Sequence, residues 1–293
     1  MVIVRLCGGL GNQMFQYAAG RRLADKIGSE MKLDIIWFDT NRDRPYSLQH
    51  LNIQENFASK NEVHRLKYVS PPFYDKILQR LGLRSSQFIP APGYIREGYN
   101  RFDPQALPLS GEVYLEGYWQ SEKYFSDIQT IIRNEFSLRA PLSSESMETA
   151  DLISSHESVS LHVRRGDYVS NTIANHHHGV CSMEYYDRSI QYISGHVKNP
   201  HFFVFSDDPQ WCGQNLHIPF HTSFIDHNGP DKGHEDIYLM SLCRHHIIAN
   251  SSFSWWGAWL DPRPGKVVIA PKQWFAQEHS AARDTIPPRW ITI

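Results

Sequence analysis

The feature that most constrains this chain is an alternation of two patterns. Short apolar runs, too short for buried helices, are each followed by a stretch with helical spacing. In the second half the strand-like runs are VSLHV (159–163), FFVF (202–205), FHTSFI (220–225), HIIA (246–249) and VVIA (267–270). Between most of them lie the helical patterns MEYYDRSIQYI, EDIYLMSLC and a short one starting near Ser252. The first half opens the same way. VIVRL (2–6) reads as a strand, and Gly8-Gly9-Leu10-Gly11 forms a turn. A helix then carries Phe15, Ala19, Leu23 and Ile27 on one face and stops at Gly28, before a strand at 31–36. Further on, a helix near 72–82, a strand at 112–116 and a helix at 126–136 are expected. Alternating strands and helices require crossovers, hence parallel sheets covered on both faces. The expectation is an α/β chain with two Rossmann-like halves. The polar, proline-containing stretch near 138–150 suggests domains 1–145 and 146–293, with the final segment able to pack back on the first.

Composition removes several classes. Lys and Arg number 29 against 31 Asp and Glu, a net charge of −2 that argues against a broad nucleic-acid surface. No stretch reaches the length of apolar residues that spans a bilayer. The four cysteines, Cys7, Cys181, Cys212 and Cys243, form no C-x-x-C pair and read as reduced thiols. A cytoplasmic protein is expected, with peripheral association at the inner membrane face as a variant.

Four segments carry chemistry. In SVSLHVRRGDYVSN, His162 and Arg164 share one side of a strand and stand at its C-terminal end, where open α/β sheets bind ligands. An arginine fork there suits phosphate or carboxylate. Asp167 could hold an arginine in place. The tripeptide Arg165-Gly166-Asp167 follows directly on a buried strand, the wrong setting for an adhesion loop, so no integrin binding is expected. The second segment, CGGLGNQMF, resembles a dinucleotide turn through Gly9 and Gly11. Met14 occupies the third glycine position and argues against a nicotinamide enzyme. Its backbone N–H groups still favour an anion, and Asn12 adds a donor. In the third, Asn250-Ser251-Ser252-Phe253-Ser254 leads from a strand into a helix, either as ordinary caps or as a phosphate cradle. Asp236, early in the preceding helix, either favours the helix dipole or accepts from a guanine edge. The fourth holds Asp207 and Asp208, as metal ligands or as caps of the next helix. His176-His177-His178 lacks zinc spacing. Trp255, Trp256 and Trp259 form either a sugar platform or core.

Together GGLGNQMFQYA (8–18), GYWQSEKYF (117–125), HVRRGDY (162–168), HGVCSMEYY (178–186), FSDDPQWC (205–212) and NSSFSWWGAWL (250–260) resemble the α-1,2-fucosyltransferases of glycosyltransferase family 11. The resemblance implies a GT-B fold, two Rossmann-like domains facing each other across a cleft. It implies GDP-fucose as donor substrate, a β-galactoside acceptor such as lactose or a surface-glycan precursor, inversion at the anomeric carbon, and no metal or other cofactor. Arg164 would carry the β-phosphate and His162 would lie by the nucleotide. Gly9, Gly11 and Asn12 would approach the pyrophosphate and fucose, Asp236 would read guanine, and Ser252 and Ser254 would cap the phosphates. Arg165, Asp207 and Phe253 belong to the same donor set. Asp167 is a candidate base, as is an acidic residue of the first half. The alternatives are a non-catalytic sugar or nucleotide-sugar binder and a nicotinamide oxidoreductase.

Overall fold

The computed structural model describes residues 1–69, 89–98, 102–106, 109–166, 179–276 and 284–293. The expected helix near 72–82, Asp167 and the triple histidine lie outside the described residues. Contacts divide the chain into two compact units: residues 1–46 with 54–129, and residues 47–53 with 130–293.

The first unit is built on β1 (Val2–Arg5), β2 (Met31–Asp34), β5 (Tyr94–Arg96) and β6 (Val113–Glu116), in the order β2-β1-β6-β5 and all parallel. Helix α2 (Lys60–Lys67) leads into a separate antiparallel pair that joins β3 (Tyr68–Val69) to β4 (Ile89–Pro90). Helix α1 (Leu10–Ile27) follows β1 and ends at Gly28, whose left-handed backbone closes the C-cap as expected. The first half of α1 is buried on all sides rather than along one stripe. Two buried glutamines make this tolerable. The Gln13 side chain donates to the Gly8 and Pro45 carbonyls, and Gln16 bonds Cys7 and Gly117. Met14 does not hold α1 away from the sheet. The close approach occurs further along, at Gly20, where a Cβ would sit 2.9 Å from Val4 Cγ1.

The second unit carries β7 (Ser158–Val163), β8 (His201–Ser206), β9 (Thr222–Ile225), β10 (His245–Ile247), β11 (Val268–Ala270) and β12 (Ile291–Thr292). The order is β12-β11-β10-β7-β8-β9, all parallel. Numbered from β7, this is the 3-2-1-4-5-6 order of doubly wound folds. The chain winds outward through β8 and β9, then returns to the other side of β7. Every residue of β7 is buried, as a central parallel strand requires. The C-terminal strand β12 joins this second sheet through β11.

The dividing point falls at 129/130, earlier than the expected 145, for a packing reason. Helix α3 (Gln129–Glu135) buries Ile132, Phe136 meets the Trp256 ring edge-on at 5.0 Å, and the Arg133 guanidinium lies 4.5 Å from the Trp259 ring. All three belong to the second unit's core. The polar stretch beyond is no linker, because Ser144–Ser154 forms a helix, α4.

Helices lock the second sheet's C-terminal edge. In α5 (Met183–His196) Ser182 caps the first turn, and Tyr185, Tyr186, Ile190 and Ile193 are buried at helical spacing. The Tyr185 hydroxyl donates to the Ile248 carbonyl at 2.6 Å and that of Tyr186 to the His162 carbonyl at 3.2 Å. Among the described residues α6 (Pro209–Asn215), α7 (Gly233–Leu242) and α8 (Ser252–Leu260) follow. Trp255, Trp256 and Trp259 of α8 are fully buried, so these tryptophans are core and present no sugar platform. Behind them Ser160, His246 and Asp261 form a buried chain. Ser160 Oγ lies 2.9 Å from His246 Nδ1, and His246 Nε2 lies 3.2 Å from Asp261. Burial keeps that imidazole neutral, pushed down to about 4. The Arg263 guanidinium bonds Asp261 and the carbonyls that end α7.

Candidate functional site

The second sheet reverses its strand order between β7 and β10, and doubly wound folds bind ligands at the C-terminal ends of such a pair. Arg164 follows β7 and the Asn250–Ser254 segment follows β10. Register explains the rest of the cluster. Val163 stands opposite Ser206 in the β7–β8 ladder, so the next residues, Arg164 and Asp207, emerge side by side. Asp207 Oδ2 takes the Arg164 guanidinium at 2.9 Å, and Oδ1 accepts the Arg165 backbone N–H at 2.8 Å. A Cβ at Gly166 would lie 2.5 Å from the same carboxylate, so a side chain there would have to push Asp207 away from the arginine. Asp207 thus fixes both the direction of Arg164 and the path of the backbone.

Asp208 has a different task. It caps α6 by accepting from Trp211 N–H at 3.1 Å, with Pro209 opening the helix. Its other oxygen meets Arg165, whose guanidinium stacks 3.7 Å from the Trp211 ring. Both carboxylates therefore serve arginines, which disfavours their reading as a metal pair. Among the described residues no group of three or more His, Cys, Asp or Glu could hold a metal ion.

His162, one turn of the pleat before Arg164, is 3% exposed, and its Nδ1 is buried without a hydrogen-bond partner. Burial, with the Arg164 charge adding and Asp207 opposing, pushes its pKa down to about 4. The ring is neutral at pH 7 and lies 5.6 Å from that of Phe253. Phe253 also reaches α7, where a Cβ on Gly233 would sit 3.2 Å from its ring.

Four residues of the expected donor set, His162, Arg164, Asp207 and Phe253, are brought together. The serines divide. Ser251, one of the expected caps, is the N-cap of α8 and accepts from Phe253 N–H at 3.3 Å. Ser254 is 1% exposed and turns its hydroxyl back to the Ser251 carbonyl. Ser252 remains half-buried at the first helical position. On α7, Asp236 accepts from the Asn228 amide at 2.8 Å, and burial pushes its carboxyl up to about 7. Nothing in the sequence flags Asn228, because it converges on Asp236 through a loop rather than a motif.

The first unit has its own switch point, between β1 and β6. The turn after β1 needs Gly8, whose φ is +76° and whose Cβ would meet the Asn12 side chain at 2.8 Å. Gly9 is the N-cap of α1 with no side-chain cap, and the helix has no acidic residue in its first turn, a setting suited to an anion. Asn12 accepts from the Gln120 amide at 2.8 Å. Gln120, just beyond β6, was not among the expected residues.

Comparison with known proteins adds independent findings. The family model described as Glycosyl transferase family 11 matches residues 91–293. The chain is 37% identical to an alpha-1,2-colitosyltransferase of Escherichia coli, over 100% of this chain and 99% of that protein. It is 26% identical to galactoside alpha-(1,2)-fucosyltransferase 1 of Mus musculus, over 86% of this chain and 61% of that protein. The crystal structure of fucosyltransferase NodZ from Bradyrhizobium superposes with a TM-score of 0.50 at 15% identity, covering 89% of this chain and 93% of that one. That likeness is one of fold, and two parallel-sheet α/β units place the chain in the GT-B class.

Proposed function

Because the chain belongs to glycosyl transferase family 11, we propose that it moves L-fucose from GDP-β-L-fucose to the 2-hydroxyl of a terminal β-galactoside, forming an α-1,2 linkage. The second unit is read as the GDP-sugar-binding domain and the first as the acceptor-side domain. The observation that carries the reading is the Arg164–Asp207 pair at the β7/β10 switch point, a guanidinium held in place where a diphosphate is expected.

In the reaction the bond from the anomeric carbon to the β-phosphate oxygen breaks. The acceptor oxygen bonds to the opposite face of that carbon and loses its proton. Negative charge grows on the departing β-phosphate. Arg164 stabilises it from a position set before the reaction begins, so no reorganisation is needed at the transition state. The neutral His162 ring offers a hydrogen bond to the nucleotide without adding charge. Asp236 accepts from the guanine edge, with Asn228 holding it. Gly9, Gly11 and Asn12 keep the donor contacts that the family resemblance implies, and Ser252 keeps its place by the phosphates. Asp167 is retained as a base. Metal independence fits a site whose carboxylates are engaged by arginines.

A second donor is favoured by one observation, the 37% identity with a colitosyltransferase over the whole chain. The two readings share the site and differ in the sugar. GDP release from GDP-fucose and from GDP-colitose, with and without lactose and with excess EDTA, tests both. Lactose-dependent release from GDP-fucose that survives EDTA supports the first reading. Release from GDP-colitose alone replaces it. GDP binding without release from either donor, across a panel of β-galactosides, points to a binding protein.

A further inference from the structure

Beside the switch point of the first sheet, Glu97 follows the edge strand β5 and turns its side chain across to the loop after β6. Glu97 Oε2 accepts two adjacent backbone N–H groups, those of Tyr118 and Trp119, each at 2.7 Å. The loop they hold is unusual in two ways. Trp119 has a φ of 56°, left-handed backbone that a bulky residue rarely adopts, and it is buried at 1% exposure. Gly117 passes so near the carboxylate stem that a Cβ there would lie 2.4 Å from Glu97 Cβ. The loop's other ends reach the turn after β1. The Gly117 carbonyl accepts from Gln16, which also bonds Cys7, and the Gln120 amide donates to Asn12 at 2.8 Å.

We propose that Glu97 is a positioning residue for the transfer reaction, fixing through the 117–120 loop the Gln120–Asn12 contact at the head of α1. This rests on the fucosyl-transfer reading, in which Asn12 faces the donor. A loop held only for stability would not need strained backbone just beyond β6, one of the two strands between which the order reverses. Nor would it need a carboxylate buried with one oxygen, Oε1, completing no hydrogen bond. The charge itself matters, since hydrogen bonds from two amides to an ionised oxygen are about twice as strong as those to a neutral one.

Protonation supplies a readout that packing alone does not move. Burial pushes the Glu97 carboxyl up to about 7, while the two amides and the Tyr124 phenol oppose that rise. Nearby on β6, Glu116 is already ion-paired with Arg5 and Lys67. Turnover should therefore fall as pH drops through neutrality.

The test compares wild type with Glu97→Gln and Gly117→Ala, using Glu112→Gln, an exposed residue paired with Arg65, as control. Hydrogen exchange of segments 8–13 and 117–121 is measured without substrate, alongside GDP affinity, melting temperature and turnover with GDP-fucose and lactose. The expected result is faster exchange in both segments for the two variants. Their turnover should fall about tenfold, with GDP affinity within twofold of wild type, and at saturating donor the acid limb near pH 7 should shrink in Glu97→Gln while the part that follows GDP affinity, owed to Asp236, stays. Unchanged exchange at 8–13, or a lowered melting temperature with turnover intact, overturns the proposal. If wild type fails to transfer fucose, the functional reading falls while the exchange data still decide whether Glu97 holds the Asn12 turn.

Discussion

Replacing Asp207 isolates the part of the second unit that aims Arg164. Asp207→Asn keeps the shape and one acceptor but removes the charge. A charge-assisted hydrogen bond contributes about 1.5–3 kcal/mol and a neutral one about 0.5–1.5 kcal/mol. The difference, about 1–1.5 kcal/mol, corresponds to a loss of roughly five- to tenfold in kcat if it is felt in the transition state. Asp207→Ala goes further. It strands the Arg165 N–H and releases the 2.9 Å contact to the guanidinium, so turnover should drop about as far as in Arg164→Ala. For loss of one transition-state donor that is on the order of 10²–10³. Initial rates of GDP release at saturating donor are the assay, with GDP titration and melting curves as controls for binding and folding. The decisive variant is the double one. If Asp207 acts through Arg164, Arg164→Ala/Asp207→Ala is no slower than Arg164→Ala alone. Multiplying losses would mean that Asp207 has a role of its own. Near-normal turnover in Asp207→Ala would refute the arrangement.

Other expectations follow from packing and charge. Gly20→Ala places a methyl 2.9 Å from Val4 Cγ1 and should destabilise the first unit by about 1–3 kcal/mol, read by denaturant unfolding. His246→Ala strands the buried Ser160 hydroxyl and one Asp261 oxygen, Oδ2, while Oδ1 keeps Arg263; at about 1–3 kcal/mol for each atom left unpaired it should lower the melting temperature of the second unit. His162 and His246 both sit near 4, below the ordinary histidine value of 6.5. At these two sites the unfolded chain binds more protons across that window, so they contribute stability that grows with pH from about 4 to 6.5, while Glu97 and Asp236, raised to about 7, contribute the opposite slope. The loss of unfolding free energy in His246→Ala should therefore be larger at pH 7.5 than at pH 4.5, and unfolding curves of both proteins at the two values check the sign.

Much of this was legible in sequence because it is local. The run at 159–163 is a buried strand, Gly28 is a helix stop, and Arg164 stands at a strand end; each follows from period and turn chemistry within a few residues. The missing parts are relations between distant residues. The carboxylate that holds Arg164 is Asp207, not a neighbour in sequence, and register between β7 and β8 selects it. Glu97 and Asn228 carry no motif, since each acts on a loop reached through a fold. Strand β12 has two residues, too few to show a period. The serines of 251–254 offered several equivalent caps, and only the backbone path distinguishes Ser251 from Ser254.

The allocation of residues 47–53 to the second unit shapes how the chain can be made. This short piece lies among residues of the first unit in sequence, yet Leu51 bridges to Leu138, Arg139 N–H donates to the His50 carbonyl, and His50 stacks on His234 at 4.0 Å. During synthesis it emerges long before those partners exist. The first unit can condense around its own sheet, but it must leave that loop unclaimed until the later strands arrive. Contacts so far apart along the chain slow the search for the native state. A fragment beginning at residue 130 would fold, if at all, with an exposed scar where 47–53 belong, and adding that segment back as a peptide is a natural complementation experiment.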